Sequence, residues 1–470
     1  MSPGYGSRAA GSPWRAEIRA TLALAWPMAL TNLTQMGLVA TDAAILGRVS
    51  TAAVAALALA GTLFWAAMAP CFGLSFAAAA MLAQERGRRV GHVKDMRRTF
   101  RAGIWAVALG TVPGAVLLWH AAPVLVALRQ DAVLAVLAQD YLRIMLWGLF
   151  PFGAFITLRG FFAAMERPTP PLVIGMLALP LNGIVGAALV FGWFTPPMGV
   201  EGAAIASVLA NAFMLVAAAA YVLRDRRMRR FGLFRGLHLF EGTRLLHLVR
   251  LGVPISAAMM LEIGVFSAVG LLIGGFGEAA IAAHAVALQI ASTTFAIPLG
   301  IGQAATARVG LAIGAGRPRE AWRAGWAAIG LAAAFMAAMA ATMLLVPDAL
   351  VRVFLDPAAP GTAEAAALGA TLLILAGLFQ LGDGVQVVGA GALRGLHDTR
   401  APMVIAAIGY WPLGFGVGWV LGFPLGFGPV GVWVGLVLGL TAVAILMTLR
   451  WARLSARGGV TARRLAPLPV

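Results

Sequence analysis

The chain reads as a series of long apolar runs separated by short polar ones. An α-helix rises 1.5 Å per residue and needs about 20 apolar residues to cross the hydrocarbon core of a bilayer. On that scale, apolar runs fall near 20–47, 53–83, 101–120, 132–163, 171–194 and 199–223. A second set follows near 247–275, 279–312, 322–346, 363–393, 402–425 and 429–450. The pattern predicts an all-α integral membrane protein of about twelve transmembrane helices. The run that starts at Ala20 continues well past the ~7–15 residues of a secretory h-region, so it reads as an uncleaved first span.

The polar runs alternate in charge. Glu85 to Arg101 carries Arg86, Arg88, Arg89, Lys94, Arg97, Arg98 and Arg101 against Glu85 and Asp95, and Arg224 to Arg235 is also basic. So are Arg308 to Arg323, Arg394 to Arg400 and the tail after Arg450. The loops between them, such as His120–Asp131 and Pro347–Glu364, carry few positive charges. Basic loops stay cytoplasmic, so both termini are expected in the cytoplasm, which requires an even number of spans.

The chain also repeats itself weakly. Leu158-Arg159-Gly160 followed by Arg167-Pro168 matches Leu393-Arg394-Gly395 followed by Arg400-Ala401-Pro402, and Trp26-Pro27 matches Val253-Pro254. A parallel repeat of this kind implies two bundles related by an axis along the membrane normal. The expected organisation is a cytoplasmic segment 1–19, an N-lobe 20–223, a cytoplasmic linker 224–246, a C-lobe 247–450 and a cytoplasmic tail 451–470, the two lobes being pseudo-symmetric six-helix bundles.

Composition removes the other classes. Hydrophobic residues make up 61% of the chain and charged residues 11%, against roughly 25% charged in a soluble domain. A net charge of +17 then reads as loop bias rather than as a nucleic-acid surface. The single cysteine, Cys71, excludes an intrachain disulfide, and the six His residues show no HExxH spacing, so no cofactor is expected.

Three acids lie well inside the predicted spans: Asp42, Glu262 and Asp383. A charge at the bilayer centre costs ~2.5–3.5 kcal/mol on insertion scales, so such residues face a cavity and have a function. Apart from Arg143 in the 132–163 run, no Lys or Arg lies near the middle of a predicted span, which leaves bound cations or protons as the expected counter-charges. Gln35 and Asp42 share a helix face. Gln380 and Gln386 flank Asp383 by about one turn, predicting a polar stripe. Asn182, Ser207 and His284 are weaker candidates that could equally bond a neighbouring helix.

At this point the residues resemble a known family. Leu251-Gly-Val-Pro254 through Glu262-Ile-Gly-Val-Phe266, Ala282-Ala-His284 and Pro298-Leu-Gly-Ile-Gly-Gln303-Ala are similar to the multidrug and toxic compound extrusion (MATE) family, closest to its NorM-type branch. Arg308-Val-Gly310, Gly382-Asp383-Gly-Val-Gln386, Leu393-Arg-Gly395, Asp398-Thr-Arg400 and Tyr410-Trp411 continue the likeness, as do Pro27, Asp42, Gly47 and Pro180-Leu-Asn182 in the first half.

The resemblance implies a V-shaped pair of six-helix lobes that exports cationic or amphipathic drugs in exchange for Na⁺ or H⁺. It implies a bacterial inner-membrane protein, a monomer among lipids with no nucleic-acid partner. By motif position Glu262 and Asp383 would be the C-lobe cation-coupling acids, with Na⁺ possible there, and Asp42 the N-lobe acid. Two departures limit the carry-over. Phe379 stands where the branch often has a Tyr, which keeps a ring for a cation–π contact and loses a hydroxyl. Gly186 stands where some members place an acid, so a complete N-lobe Na⁺ site is not carried over. Two rivals stand beside this reading. An intramembrane aspartyl protease would pair Asp42 with Asp383. A lipid-type flippase of the same superfamily would need basic residues in its cleft.

Overall fold

The computed structural model describes residues 12–88, 91–194, 196–355 and 362–456. Residues 1–11 of the expected N-terminal segment, Arg89 in the first basic loop and residues 457–470 of the expected tail lie outside the described residues. The first half contributes α1 (Pro13–Leu46), α2 (Thr51–Gly87), α3 (His92–Trp119), α4 (Ala132–Ala164), α5 (Thr169–Phe191) and α6 (Gly199–Arg224). The second contributes α7 (Gly242–Gly274), α8 (Glu278–Gly314), α9 (Pro318–Leu345), α10 (Ala363–Gly395), α11 (Arg400–Gly422) and α12 (Gly428–Ala456).

Eleven of these helices are long and apolar enough to cross a membrane. In α1 the apolar run is diluted by Thr31, Asn32, Thr34, Gln35 and Asp42, but the helix is 34 residues long and packs beside α5 and α8. With α1 the expected twelve are present. Short helices, Ala121–Ala127 and Pro347–Arg352, follow the third helix of each half.

Local sequence explains where several elements begin. The Ser50 hydroxyl accepts from Ala53 N–H at 3.1 Å, and the Asp131 carboxylate accepts from Val133 and Leu134 N–H, satisfying donors that a helix start leaves open. Prolines recur in matching places: Pro27 in α1 and Pro254 in α7, Pro70 in α2 and Pro298 in α8. Each removes one helical N–H, although the α-helix continues through it.

The packing is two-fold throughout. In the first half α2 packs on α3 and α4, α4 on α6, and α5 on α6. In the second half α8 packs on α9 and α10, α10 on α12, and α11 on α12. Across the halves, α1 lies on α8 and α7 lies on α2.

Buried side chains fall into two large cores. One is drawn from Leu38 to Leu233; the other runs from Val265 to Trp451 and also takes in Leu24, Ala25, Met28 and Ala163. The beginning of α1 therefore belongs to the second core and its end to the first. The beginning of α7 behaves in mirror fashion, with Leu245, Leu248, Leu251 and Ile255 packed against α2 and α3. The two halves interlock through their opening helices.

Glycine allows both crossings. A Cβ on Gly300 would lie 2.6 Å from Ala29 N, and one on Gly73 would lie 2.5 Å from Ser256 N. Backbones this close need a residue without a side chain.

Two ion-pair clusters lie at the ends of these crossings. Arg308 of α8 holds Glu17 of α1 at 2.9 Å and also Glu166. Arg244 of α7 holds Glu85 of α2 at 2.7 Å and Asp95 at 3.1 Å, with Thr99 bonding both Glu85 and Arg244.

Candidate functional site

The second half contains a cavity of ≈ 770 Å³ between α7, α8, α10 and α11. Its walls are mostly apolar, with Met259, Phe266, Leu288, Phe295 and Phe379 among them. Glu262 and Asp383 both line it. One amide links them: Gln386 Nε2 donates to Glu262 Oε1 at 3.3 Å and to Asp383 Oδ1 at 3.2 Å. Gln386 Oε1 in turn accepts from Tyr410 O–H at 2.8 Å. The amide is thus held at both ends, and two carboxylates from different helices meet at a single donor.

Tyr410 reaches this position through a π-helical segment, Gly409–Gly416, inside α11. Pro412 lies within it and has no N–H to give to the α ladder. π-Helical turns are common at functional sites because they rotate side chains out of α register. In the sequence Tyr410 is visible as part of a motif, but its bond to Gln386 is not. The Tyr410-Trp411-Pro412 run is the available signal.

Other candidates fall around this cavity. The Phe379 ring is buried between Phe266 and Trp433, with centroids 6.4 and 5.7 Å away. His284 lines the cavity, and its Nδ1 accepts from Trp433 Nε1–H at 3.2 Å. Gln380 does not belong with Asp383. It turns to α8, where Nε2 donates to Ala291 O at 3.1 Å and to the Thr294 hydroxyl. The expected stripe therefore breaks. Three residues are 300° of helix, so Gln380 and Asp383 sit some 60° apart, enough to place Gln380 against the neighbouring helix.

The first half has a smaller pocket of ≈ 80 Å³ that includes Asp42, Gln35, Tyr141 and Ser207. The Ser207 hydroxyl donates to Asp42 Oδ2 at 2.6 Å, and the Tyr141 hydroxyl donates to the same oxygen at 3.3 Å. Asn182 Nδ2 donates to Ser207 Oγ at 3.2 Å. Asp42 Oδ1, Asn182 Oδ1 and Gln35 Nε2 are buried with no hydrogen-bond partner among the described residues. Asp42 is 1% exposed, so it does not snorkel. Nothing local in the sequence marks Tyr141; α4 brings it 99 positions along the chain to Asp42.

Two sequence-based readings need correction. Arg159 and Arg394, which close the α4 and α10 runs, are buried at 9% and 8% exposure, and Arg394 lines the same cavity as Glu262 and Asp383. The apolar part of the protein is therefore not free of cations; both sit at the ends of their runs, where a mid-span search does not reach. The absence of basic residues thus does not count against a flippase as expected. The protease reading, however, fails: Asp42 and Asp383 line separate cavities. Among the described residues no three His, Cys, Asp or Glu side chains gather as a metal site.

Comparison with known proteins decides the family. The MatE family model matches residues 27–189 and 254–420, one block in each half. The chain belongs to the MatE family. A relative from Mesorhizobium japonicum, a probable multidrug resistance protein NorM, is 44% identical over 449 residues, covering 95% of this chain and 96% of its own. A probable multidrug resistance protein NorM from Brucella suis is 41% identical over 441 residues, covering 94% of each chain. Among solved structures, the eukaryotic MATE transporter AtDTX14 superposes with a TM-score of 0.85 at 21% identity, over 96% of this chain and 100% of that one. The Vibrio cholerae MATE transporter VcmN, in its bent form, gives 0.83 at 16% identity over 96% of this chain and 99% of that one. The sequence resemblance to the NorM-type branch and the all-α membrane fold both hold, and this MatE chain has the architecture of a transporter.

Proposed function

We propose that the chain is a cation-coupled multidrug antiporter of the bacterial inner membrane that exports cationic or amphipathic compounds by alternating access. The observation that carries this reading is the pair Glu262 and Asp383 on an apolar cavity large enough for a drug-sized ligand, joined through the Gln386 amide. The names of the NorM relatives support the drug class. The repeated packing supports two lobes, 20–223 and 247–450, joined by the linker 224–246. The basic loops support cytoplasmic termini. A monomer in lipid suffices, since both lobes lie in one chain.

Coupling follows from charge. A cation or proton offsets one of the two negative charges in one conformation, and a positively charged drug displaces it in the other. Exchange of one cation or proton for one singly charged drug moves no net charge, so the ion's concentration gradient drives it. The potential adds ~2.3 kcal/mol per 100 mV only for each further positive charge carried inward. The Gln386 amide has two settings. With Nε2 toward the acids it satisfies them as anions. Turned end for end, with the Tyr410 hydroxyl accepting instead of donating, it presents an oxygen to a bound Na⁺ or to a protonated acid. Asp42 and Asn182 each have a buried oxygen with no partner among the described residues, and they offer a second cation position in the N-lobe.

The test is drug efflux from proteoliposomes under separately imposed Na⁺ and pH gradients. Wild type should respond to one gradient, and Glu262→Gln and Asp383→Asn should each lose at least about tenfold of the driven rate, or about 1.4 kcal/mol. Undiminished driven export by both variants would sink the assignment.

A further inference from the structure

Five titratable side chains among the described residues line the large cavity: Glu262 on α7, His284 on α8, Asp383 and Arg394 on α10, and Tyr410 on α11. His284 is neutral in this arrangement. Its Nδ1 accepts from Trp433 Nε1–H, which can only donate, so the ring uses that lone pair and its single proton sits on Nε2. Tyr410 is an uncharged donor to Gln386. Two carboxylates and one guanidinium remain, and together they leave one negative charge on the wall.

Arg394 leans toward the acids. Long side chains on a helix point back toward its N-terminus, and here Nε donates to Ala390 O, four residues back, at 3.3 Å. The side chain therefore runs along α10 toward Gln386, whose amide bonds both Glu262 and Asp383. The guanidinium interacts electrostatically with Glu262, and its other neighbour is the Phe76 ring of the first half, with the centroid 5.2 Å away. It does not lose its charge, and in a largely apolar cavity that charge acts over a longer distance than it would in water.

The repeat supplies a contrast. Arg159 holds the matching place in the first half, but it bonds Asn32 Oδ1 at 2.8 Å and Gln303 Oε1 at 3.0 Å and takes no part in the pocket of Asp42. That pocket has one acid and no cation, whereas the larger cavity has two acids and one cation. Both lobes thus arrive at a single net negative charge by different routes.

We infer that Arg394 is a resident counter-charge, a positioning residue that offsets one carboxylate of the Glu262–Asp383 pair at all times, so that the pair takes up one monovalent cation or proton and exchanges it one for one with a singly charged ligand. The inference rests on the reading of Glu262 and Asp383 as the cation site and adds how many charges that site exchanges. Without Arg394 the same two acids would take up two monovalent cations.

The experiment is equilibrium binding of tetraphenylphosphonium to the full chain in detergent, read by calorimetry, with triphenylphosphine oxide as the uncharged probe of related shape. In wild type, log Kd should rise with the log concentration of the competing ion, and the slopes for Na⁺ and for H⁺ should sum to one. At low Na⁺ and alkaline pH, Arg394→Gln should bind the cation about tenfold more tightly and the oxide within about twofold of wild type. Its summed slope should move toward two. Arg394→Lys, which keeps the charge, should bind the cation within about threefold of wild type.

A summed slope of two in wild type would overturn the proposal, and that measurement needs no variant to fold. An Arg394→Gln protein that bound the cation no more tightly, or gained equally for cation and oxide, would do the same. A damaged or merely enlarged cavity gives those results, and a lost counter-charge does not. Wild-type binding that ignored both ions, or that was unchanged by Glu262→Gln and Asp383→Asn, would instead sink the cation-site reading beneath it.

Discussion

The two halves share a fold and differ in how they treat buried acid. In the first half one carboxylate, Asp42, is enclosed by hydroxyls from α4 and α6, in a pocket with little room. In the second half two carboxylates share one amide on the wall of a space nearly ten times larger. Matching prolines show how the divergence arose locally. Pro180 sits in an unbroken α-helix, and the residue two positions on, Asn182, turns its polar group to Ser207. Pro412 sits in a π-helical segment, and the residue two positions back, Tyr410, turns its hydroxyl to Gln386. A repeat that keeps helix packing and changes one polar position per helix can yield an ion-sized site in one lobe and a ligand-sized site in the other.

The comparison can be broken at its strongest point first. Combining Glu262→Gln with Asp383→Asn should abolish gradient-driven efflux, a loss of about 100-fold or about 2.7 kcal/mol, while the variant remains folded by gel filtration. Asp42→Asn should reduce driven efflux about tenfold and leave equilibrium drug affinity within about twofold. If Asp42→Asn instead removed drug binding, the division into an ion-sized and a ligand-sized site would be wrong. Tyr410→Phe removes one hydrogen bond from the Gln386 amide and should weaken cation or drug affinity by about fivefold, near the ~1 kcal/mol of a typical bond; titration of binding in detergent reads it. The smallest change in transport is Ser207→Ala, which leaves Asp42 with the Tyr141 hydroxyl. It should lower thermal stability by about 1–3 kcal/mol, with transport falling less than in Asp42→Asn.

Helix number and the six-plus-six repeat were legible because length and hydropathy alone decide them; the lipid solvent admits little else. The three acids stood out for the same reason. What the sequence concealed depends on rotation about a helix or on partners far along the chain. Gln380 and Gln386 look equivalent around Asp383, yet only Gln386 faces the cavity. Tyr141 has no local mark, and Tyr410 depends on a π-helical segment that a 3.6-residue period does not reveal. The arginines are visible as repeat motifs but not as cavity residues, since their runs end with them. Hydropathy assigns each opening helix whole to its own lobe, whereas each begins in the core of the other half.

The two ion-pair clusters carry a consequence for the ancestry of such a molecule. At equivalent crossings the first half presents acids, Glu17 on α1 and Glu85 on α2, and the second presents bases, Arg244 on α7 and Arg308 on α8. A homodimer of two first halves would set Glu17 against Glu85, and a homodimer of two second halves would set Arg244 against Arg308. Like charges opposed in a buried seam cost several kcal/mol. At these two contacts the signs thus favour pairing unlike halves over pairing like ones, although Arg98 and Arg101 of α3 meet Glu241 beside α7 with the opposite order of signs.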